Sequence, residues 1–343
     1  MEVNAELPAD YVSGFTIAID DSSQVGEARR GAAGVAAAVG LNTTDAGKFA
    51  LMVTEAASNI AKHAGRGEMM LRAIGGPGVQ AVEMVAIDRG PGIGDLDRAL
   101  RDGYSTAGSS GAGLGALARL ATRFDIYTAE GAGTVIAARV GGDRSVRPGG
   151  LDVGVVRVAK RGETQCGDDW GIVIGKGGRA MLAVADGLGH GRPAAEAARR
   201  AIDIASEHPD DGAGMVVAHI HAGLRPTRGA ALAVAELSAD GRHIRYAGLG
   251  NISGAIVSAS TSRSLVSHNG IAGHEMRKIQ EFPYDWPAES LLVMHSDGVS
   301  ARWDVGKYPG LVQRDPSIVA GVIYRDFSRG RDDALVVVVR SAA

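Results

Sequence analysis

The segment GGDRSVRPGG, residues 141–150, divides this 343-residue chain into two parts. It is polar and rich in glycine, and strand-like apolar runs flank it on both sides, which is typical of a linker. A chain of this length is longer than one hydrophobic core usually needs. We therefore predict two domains, 1–140 and 151–343, joined by a linker at 141–150.

The two parts differ in their mixture of helix and strand. In the first part helical patterns and strand-like runs do not alternate regularly, which favours an α/β sandwich over a doubly wound parallel sheet. The second part has many strand-like runs with helical patterns inserted between them, as expected of a β-sandwich core flanked by helices. We therefore predict an α+β protein. The helical patterns lie at 22–39, 44–63, 114–122, 193–205, 212–223 and 316–325.

Composition excludes several classes of protein. Hydrophobic residues make up 45% of the chain and charged residues 22%, as in globular proteins, and no apolar run approaches the roughly 18 to 20 residues of a membrane span. The N-terminal sequence lacks the features of a secretory signal, and the single cysteine, Cys166, cannot form an intramolecular disulfide. A formal net charge of -3 gives no electrostatic case for nucleic acid as the main partner, and a local basic patch stays open. We expect a cytoplasmic protein whose main partner is neither a membrane nor a nucleic acid.

The helical segment TEAASNIAKHA carries a polar stripe. Glu55, Asn59 and His63 are four residues apart, so a helix places them along one face. A carboxylate can orient or deprotonate an attacking hydroxyl, and an amide oxygen can bind Mg²⁺. By itself the stripe is more typical of a solvated helix face.

Two glycine-rich loops follow this helix. In IDRGPGIGD, Asp88 ends an apolar strand, and the glycines after it let the backbone pass close to a flat ligand. The loop GYSTAGSSGAGLG, residues 103–115, offers free N–H groups and a following helix N-terminus to phosphate oxygens. A simple turn and a flexible loop are the alternatives. No strand leads directly into GAGLG, which disfavours a dinucleotide-binding motif.

The order of these motifs, closed by GAGTVI, resembles the GHKL ATPases over about residues 10 to 140, and most closely the RsbT-type anti-sigma-factor serine kinases. The resemblance implies a Bergerat-type α/β sandwich that binds ATP with Mg²⁺. Glu55 would be the catalytic base, Asn59 the Mg²⁺ ligand and Asp88 the acceptor of the adenine amino group. His63 is expected to be structural. The other implied nucleotide-binding residues are Gly90, Gly92, Gly94, Thr106, Gly111, Gly113, Gly115 and Thr134.

Aspartates lie at the ends of very apolar strands in the second part. Asp186 follows MLAVA, Asp297 follows LLVMHS, and the pair Asp332 and Asp333 precedes ALVVVV. Each could be a turn residue. If they converge, their repulsion and desolvation would be costly unless a cation compensates. Oxygen ligands favour Mg²⁺ or Mn²⁺ over zinc, and two such ions could bind phosphate and activate a water.

The order GDDW, ADGLGHG, HSDGVS and GRDDALVVVV resembles the PPM metal-dependent phosphatases, most closely RsbX and the SpoIIE-type phosphatases, over about residues 151 to 343. The resemblance implies an α-β-β-α sandwich with two Mn²⁺ or Mg²⁺ ions. Spacing alone does not decide between Asp168 and Asp169, or between Asp332 and Asp333; motif alignment favours the first of each pair. His190 could approach phosphate or pack in its loop, and Cys166 is expected to be structural. The implied metal ligands are Asp168, Asp186, the Gly187 carbonyl, Asp297 and Asp332.

Together the resemblances imply a bacterial stress-signalling switch. An RsbT-like kinase fused to an RsbX-like phosphatase would phosphorylate and dephosphorylate Ser or Thr of a STAS-domain partner in a stressosome or partner-switching system. Two rivals stay open: the ATP-binding domain only regulates the phosphatase, or the chain is a non-catalytic switch that sequesters a partner. A homodimer is also left open.

Overall fold

A computed structural model describes residues 14–74, 81–101, 113–142, 150–276 and 278–341. The chain divides into two compact units, one containing the described residues up to 142 and the other those from 150 onwards. Most of the predicted linker lies outside the described residues, while Gly141 is the last residue of a strand in the first unit.

The first unit is an antiparallel sheet with helices packed on one face. Its strand order is β1-β2-β3-β5-β4, and alternate residues of β2, such as Met69 and Leu71, are buried against the helices. The Asn42 side chain caps α2 by accepting a hydrogen bond from the Asp45 N–H, and Phe49 and Met52 bury the apolar face of α2. The elements are β1 (Phe15–Ile19), α1 (Ser23–Ala38), α2 (Thr43–Asn59), β2 (Gly67–Ile74), β3 (Ala81–Asp88), α3 (Leu96–Ala99), α4 (Leu114–Leu120), β4 (Arg123–Ala129) and β5 (Gly133–Gly141).

The second unit contains two larger sheets. One has the order β13-β10-β9-β8-β7, with β16 also paired to β10, and the other has the order β12-β11-β17-β18-β6. The elements are β6 (Leu151–Val158), β7 (Asp168–Ile174), β8 (Ala180–Gly187), α5 (Arg192–Glu207), α6 (Ala213–Gly223), β9 (Ala230–Leu237), β10 (His243–Leu249), β11 (Ser253–Val257), β12 (Ser262–Ser264), β13 (Ser267–His268), β14 (Gly270–Ile271), β15 (Glu275–Met276), β16 (Phe282–Asp285), β17 (Leu291–His295), α7 (Pro316–Phe327) and β18 (Ala334–Ser341).

Helices cover the outer face of each of these sheets. α5 and α6 pack against β7 to β10, and α7 packs against β6 and β18. Residues 334–339 of β18 are all buried, because this strand is covered on both faces, and a strand in that position is apolar throughout rather than alternating. The predicted α-β-β-α sandwich and the α+β class are confirmed.

The structure differs from the sequence predictions in three places, one of which is the short helix α3, which the sequence did not indicate. The helix expected over 44–63 ends as an α-helix at Asn59 and continues as one π-helical turn, Ile60–Ala64. The short strands β11 to β16 were not predicted, because several of them are two to five residues long and lack a long apolar pattern.

Candidate active sites

A cavity of about 420 Å³ opens between α2 and the ends of β3 and β5 in the first unit. The polar side of α2 supplies Glu55 and Asn59, while the opposite side of the helix is buried in the core. The π-helical turn that follows widens the helix at this point and brings Lys62 and His63 to the cavity wall. Such turns inside helices are common at functional sites.

Asp88 ends β3 at the floor of this cavity. Its Oδ1 accepts hydrogen bonds from the backbone N–H of Gly90, at 2.8 Å, and of Thr134, at 3.3 Å. The carboxylate is therefore held by the loop that follows it and by the neighbouring strand β5. A carboxylate has two oxygens with about four acceptor positions, so these two bonds do not exhaust the acceptor capacity of Asp88.

The loop after Asp88 is held in place by a threonine that sequence reasoning missed. The Thr128 hydroxyl accepts a hydrogen bond from the Ile93 N–H at 2.9 Å and lies 3.2 Å from the Gly133 carbonyl oxygen, to which it can donate. Thr128 sits in a strand with no unusual pattern, so no signal in the sequence singled it out.

The structure brings together most, but not all, of the predicted nucleotide-binding residues. Glu55, Asn59, Asp88, Gly92, Gly94, Gly113 and Thr134 line the cavity. Gly90 instead packs behind Asp88, where a side chain would collide with Ala64, and Gly115 lies in α4 against the Leu100 carbonyl oxygen. Thr106 and Gly111 lie outside the described residues. His63, expected to be structural, lines the cavity.

Gly92 lines the cavity at a position where the fold requires a residue without a side chain. Its φ is +72°, and a methyl group there would overlap the Ala129 carbonyl oxygen. We expect Gly92→Ala to destabilise the first unit by about 1 to 3 kcal/mol or more, as for other residues forced into this backbone region. Gly94→Ala is the matched control, because a methyl group at Gly94 meets no atom within 4 Å. Chemical denaturation of both variants checks this, and equal stability of the two would contradict it.

The second site is a cluster of acidic side chains where strands of both sheets begin or end. Asp168 of β7 and Asp186 of β8 are direct partners in adjacent antiparallel strands. Asp168 Oδ2 accepts a hydrogen bond of 2.6 Å from the Ser296 hydroxyl, and Ser296 Oγ in turn accepts the Leu335 N–H at 3.0 Å. Ser296 therefore ties β7 of one sheet to β18 of the other.

The electrostatics of this cluster are unfavourable without a cation. Burial, followed by the negative charges of Asp297 and Asp332, raises the pKa of Asp186 to about 7. Burial and the charge of Asp186 also raise the pKa of Asp168 well above its ordinary value. Nearby positive charge would remove this cost.

Two buried carboxylate oxygens of the cluster have no hydrogen-bond partner, Oδ1 of Asp168 and Oδ2 of Asp333. Unpaired buried oxygens of this kind are rare unless an unseen ion or water completes them. The donors are all oxygens, as Mg²⁺ and Mn²⁺ prefer. The residues present therefore fit divalent ions.

The structure separates the members of each aspartate pair. Asp168 faces the cluster, whereas Asp169 lies 3.8 Å from Arg157 and accepts the Trp170 N–H. Successive side chains in a strand point to opposite faces, which explains the difference. Asp332 is exposed and Asp333 is buried, with Asp333 Oδ1 accepting the Lys160 N–H at 2.8 Å.

The remaining predicted residues of this unit have the following surroundings. The Gly187 N–H donates to the Gly167 carbonyl at 3.0 Å, and a methyl group at Gly187 would overlap the Ala194 carbonyl of α5. His190 pairs with Glu163 at 2.7 Å. Cys166 is buried, and burial raises the pKa of its thiol.

Asn251 and Ser296 are members of the acidic site that sequence reasoning missed. Asn251 Nδ2 donates to Asp297 Oδ2 at 2.7 Å. Ser296 directly precedes Asp297 in HSDGVS, so its place in that motif was an available signal, whereas Asn251 lies in a glycine-containing turn that carried none.

Two family models match the chain, one in each of its two units. The model of the histidine kinase-like ATPase domain matches residues 19–140, and the model of stage II sporulation protein E (SpoIIE) matches residues 176–341. Asp168 precedes the second matched range. The folds and the two family models thus define a protein that joins a GHKL-type ATPase unit to a PPM-type serine phosphatase unit.

The first unit has a characterised relative. The chain is 36% identical over 104 residues to the serine/threonine-protein kinase RsbT of Bacillus subtilis (strain 168). The match covers 30% of this chain and 78% of RsbT. The chain therefore belongs to the RsbT family through its first unit, fused to a SpoIIE-type phosphatase domain.

Solved structures resemble the chain over about half of its length. One comes from work on the bacterial stressosome as a modular system adapted to control secondary messenger signalling. That structure is 29% identical, with a TM-score of 0.51, and the match covers 55% of this chain and 99% of the other chain. Another is the crystal structure of RsbX in complex with magnesium. It is 20% identical, with a TM-score of 0.48, and the match covers 55% of this chain and 94% of the RsbX chain.

Among the described residues, no helix combines the length and hydrophobicity that a membrane crossing demands.

Proposed function

We propose that this chain carries two opposing activities, a kinase that phosphorylates Ser or Thr of a STAS-domain partner and a phosphatase that removes the same phosphate. The observation that carries the proposal is that both units keep the side chains such chemistry needs. Glu55 and Asn59 face a nucleotide-sized cavity, and carboxylates with unpaired oxygens converge in the second unit.

In the kinase unit, ATP with Mg²⁺ would occupy the cavity between α2 and β3. Asp88 accepts the adenine amino group, and the Asn59 carboxamide oxygen holds Mg²⁺. Glu55 accepts the proton of the attacking Ser or Thr hydroxyl. Gly92 and Gly94 allow the backbone to lie against the adenine, and Thr134 adds a polar contact beside Asp88.

In the phosphatase unit, two Mn²⁺ or Mg²⁺ ions would supply a bound water of lowered pKa and neutralise the substrate phosphate. Asp168, Asp186, Asp297, Asp332 and the Gly187 carbonyl are the residues that hold the ions in this proposal. Asp332 is preferred over Asp333 because its charge acts more strongly on Asp186, while Oδ1 of Asp333 already accepts the Lys160 N–H. Ser296 and Asn251 orient Asp168 and Asp297.

The STAS-domain partner is proposed by analogy with RsbT and with the stressosome structure. The formal net charge of -3 gives no electrostatic case for a nucleic-acid substrate. A cytoplasmic location accords with such a partner.

The test is to incubate the chain with ATP, divalent metal and candidate STAS proteins while following phosphoserine and phosphothreonine by mass spectrometry. Asp186→Asn should accumulate the phosphorylated partner, and Glu55→Gln should only dephosphorylate it. No phosphorylation by the wild type or by Asp186→Asn would favour the rival in which the ATP-binding unit only regulates the phosphatase.

Asp88→Asn should weaken ATP binding by roughly 10-fold or more, because the amide can keep the bonds from Gly90 and Thr134 only by turning an N–H₂ group towards the adenine amino group. Isothermal titration with Mg²⁺ and ATP measures this. The exposed residue Asp20 provides the control variant Asp20→Asn, which should bind as the wild type does. An unchanged affinity in Asp88→Asn would remove the adenine assignment.

A further inference from the structure

Three potential metal ligands meet at the turn between α5 and α6, outside both sites described above. His208 directly follows α5, Asp211 lies in the turn, and His219 lies in α6. His208 Nδ1 and His219 Nε2 each lie 3.2 Å from the same oxygen, Asp211 Oδ2. The three donor atoms all lie within 4.8 Å of one another.

The two 3.2 Å separations match the spacing of ligands around a small transition-metal ion. Zinc binds histidine nitrogen and carboxylate oxygen at about 2.0 to 2.2 Å, so neighbouring ligands in a tetrahedral site are about 3.3 Å apart. Two histidines and one carboxylate are a donor set that suits zinc and related ions, unlike the all-oxygen acidic cluster.

The surroundings leave the cluster open to an ion from solvent. The side chains of His208, Asp211 and His219 are 33%, 40% and 37% exposed, which leaves room for water as a fourth ligand. The neighbouring Asp210 is engaged elsewhere, 3.4 Å from Lys176 and 3.9 Å from Arg179. The two imidazole rings stack at 3.9 Å with 2° between their planes, so one of them must turn about its Cβ–Cγ bond for both lone pairs to reach one ion.

We propose that His208, Asp211 and His219 bind a zinc-class divalent ion that ties the end of α5 to α6. The N-terminal part of α5 packs against Gly187, where Ala194 leaves no space for a side chain. An ion at the far end of α5 therefore stabilises the helix that packs against Gly187, the last residue of β8. This proposal does not depend on either proposed enzymatic activity.

Cobalt(II) is the probe, because four-coordinate Co²⁺ with nitrogen ligands absorbs visible light far more strongly than six-coordinate Co²⁺ with oxygen ligands. The full chain titrated with Co²⁺ should develop an intense visible band that His219→Gln and Asp211→Asn both lose, and excess Zn²⁺ should abolish the band. The acidic cluster contributes only weak absorption, since all its donors are oxygens.

His243→Gln is the matched control. His243 forms another surface pair, 3.5 Å from Asp285, but has no second histidine in that pair, so this variant should keep the band. Zn²⁺ should also raise the melting temperature of the wild type and of His243→Gln more than that of His219→Gln. A wild type without the intense band, or a band that persists in folded His219→Gln, would overturn the proposal.

Discussion

Asp186→Asn is expected to lower phosphatase activity by more than ~100-fold, since even residues that only support metal ligands cost about 10- to 100-fold in affinity or activity when replaced. The change removes one formal charge from a site proposed to hold two divalent ions, which weakens their binding and raises the pKa of the activated water. Phosphate release from a phosphoserine protein, measured over a range of Mn²⁺ concentrations, should show the loss.

The same substitution should leave the metal-free fold at least as stable as the wild type. The pKa of Asp186 is raised in the folded chain from an ordinary 3.8 to about 7, so its ionisation opposes folding as the pH rises through that interval. Asparagine cannot ionise and removes this cost, so the benefit should be full at pH 8 and absent at pH 3. Denaturation in EDTA at both values measures it.

Asp285→Asn is the matched control for Asp186→Asn. Asp285 belongs to the same unit but is 84% exposed, so its replacement should change neither activity nor stability appreciably. Full phosphatase activity of the wild type in excess EDTA would contradict the metal-ion proposal. An Asp186→Asn protein that unfolds but retains specific activity in its folded fraction would instead assign Asp186 a structural role.

Glu55→Gln is expected to reduce phosphoryl transfer by roughly 10²- to 10⁴-fold, the usual contribution of a general base. Glutamine keeps the size and polarity of the side chain on α2 but cannot accept the proton of the attacking hydroxyl. ATP binding should remain largely intact, because a base acts in the chemical step. Single-turnover transfer from radiolabelled ATP, together with calorimetric binding, separates the two effects.

Glu27→Gln, at an exposed position of α1, is the control for Glu55→Gln and should transfer phosphate at the wild-type rate. A wild-type rate in Glu55→Gln would show that another group takes the proton. Lys62 and His63 line the same cavity, so their variants would be examined next.

The sequence by itself was sufficient for the fold class and for the two family resemblances, and it singled out residues that the structure gathers in the two candidate sites. The reason is that these features are local. The four-residue spacing of Glu55 and Asn59 places them on one helix face, and Asp186 and Asp297 follow runs of apolar residues that are typical of buried strands. Motifs built from consecutive residues carry their own signal, and their order along the chain identified both families.

Only the tertiary structure decided which side chains meet across elements. Asp168 and Asp169 are adjacent in sequence, yet the pleat turns one to the acidic cluster and the other to Arg157. Ser296 bonds to Asp168, 128 positions away, because β17 ends close to the point where β7 begins. Contacts of this kind depend on strand register and on the packing of two sheets, which no local pattern encodes.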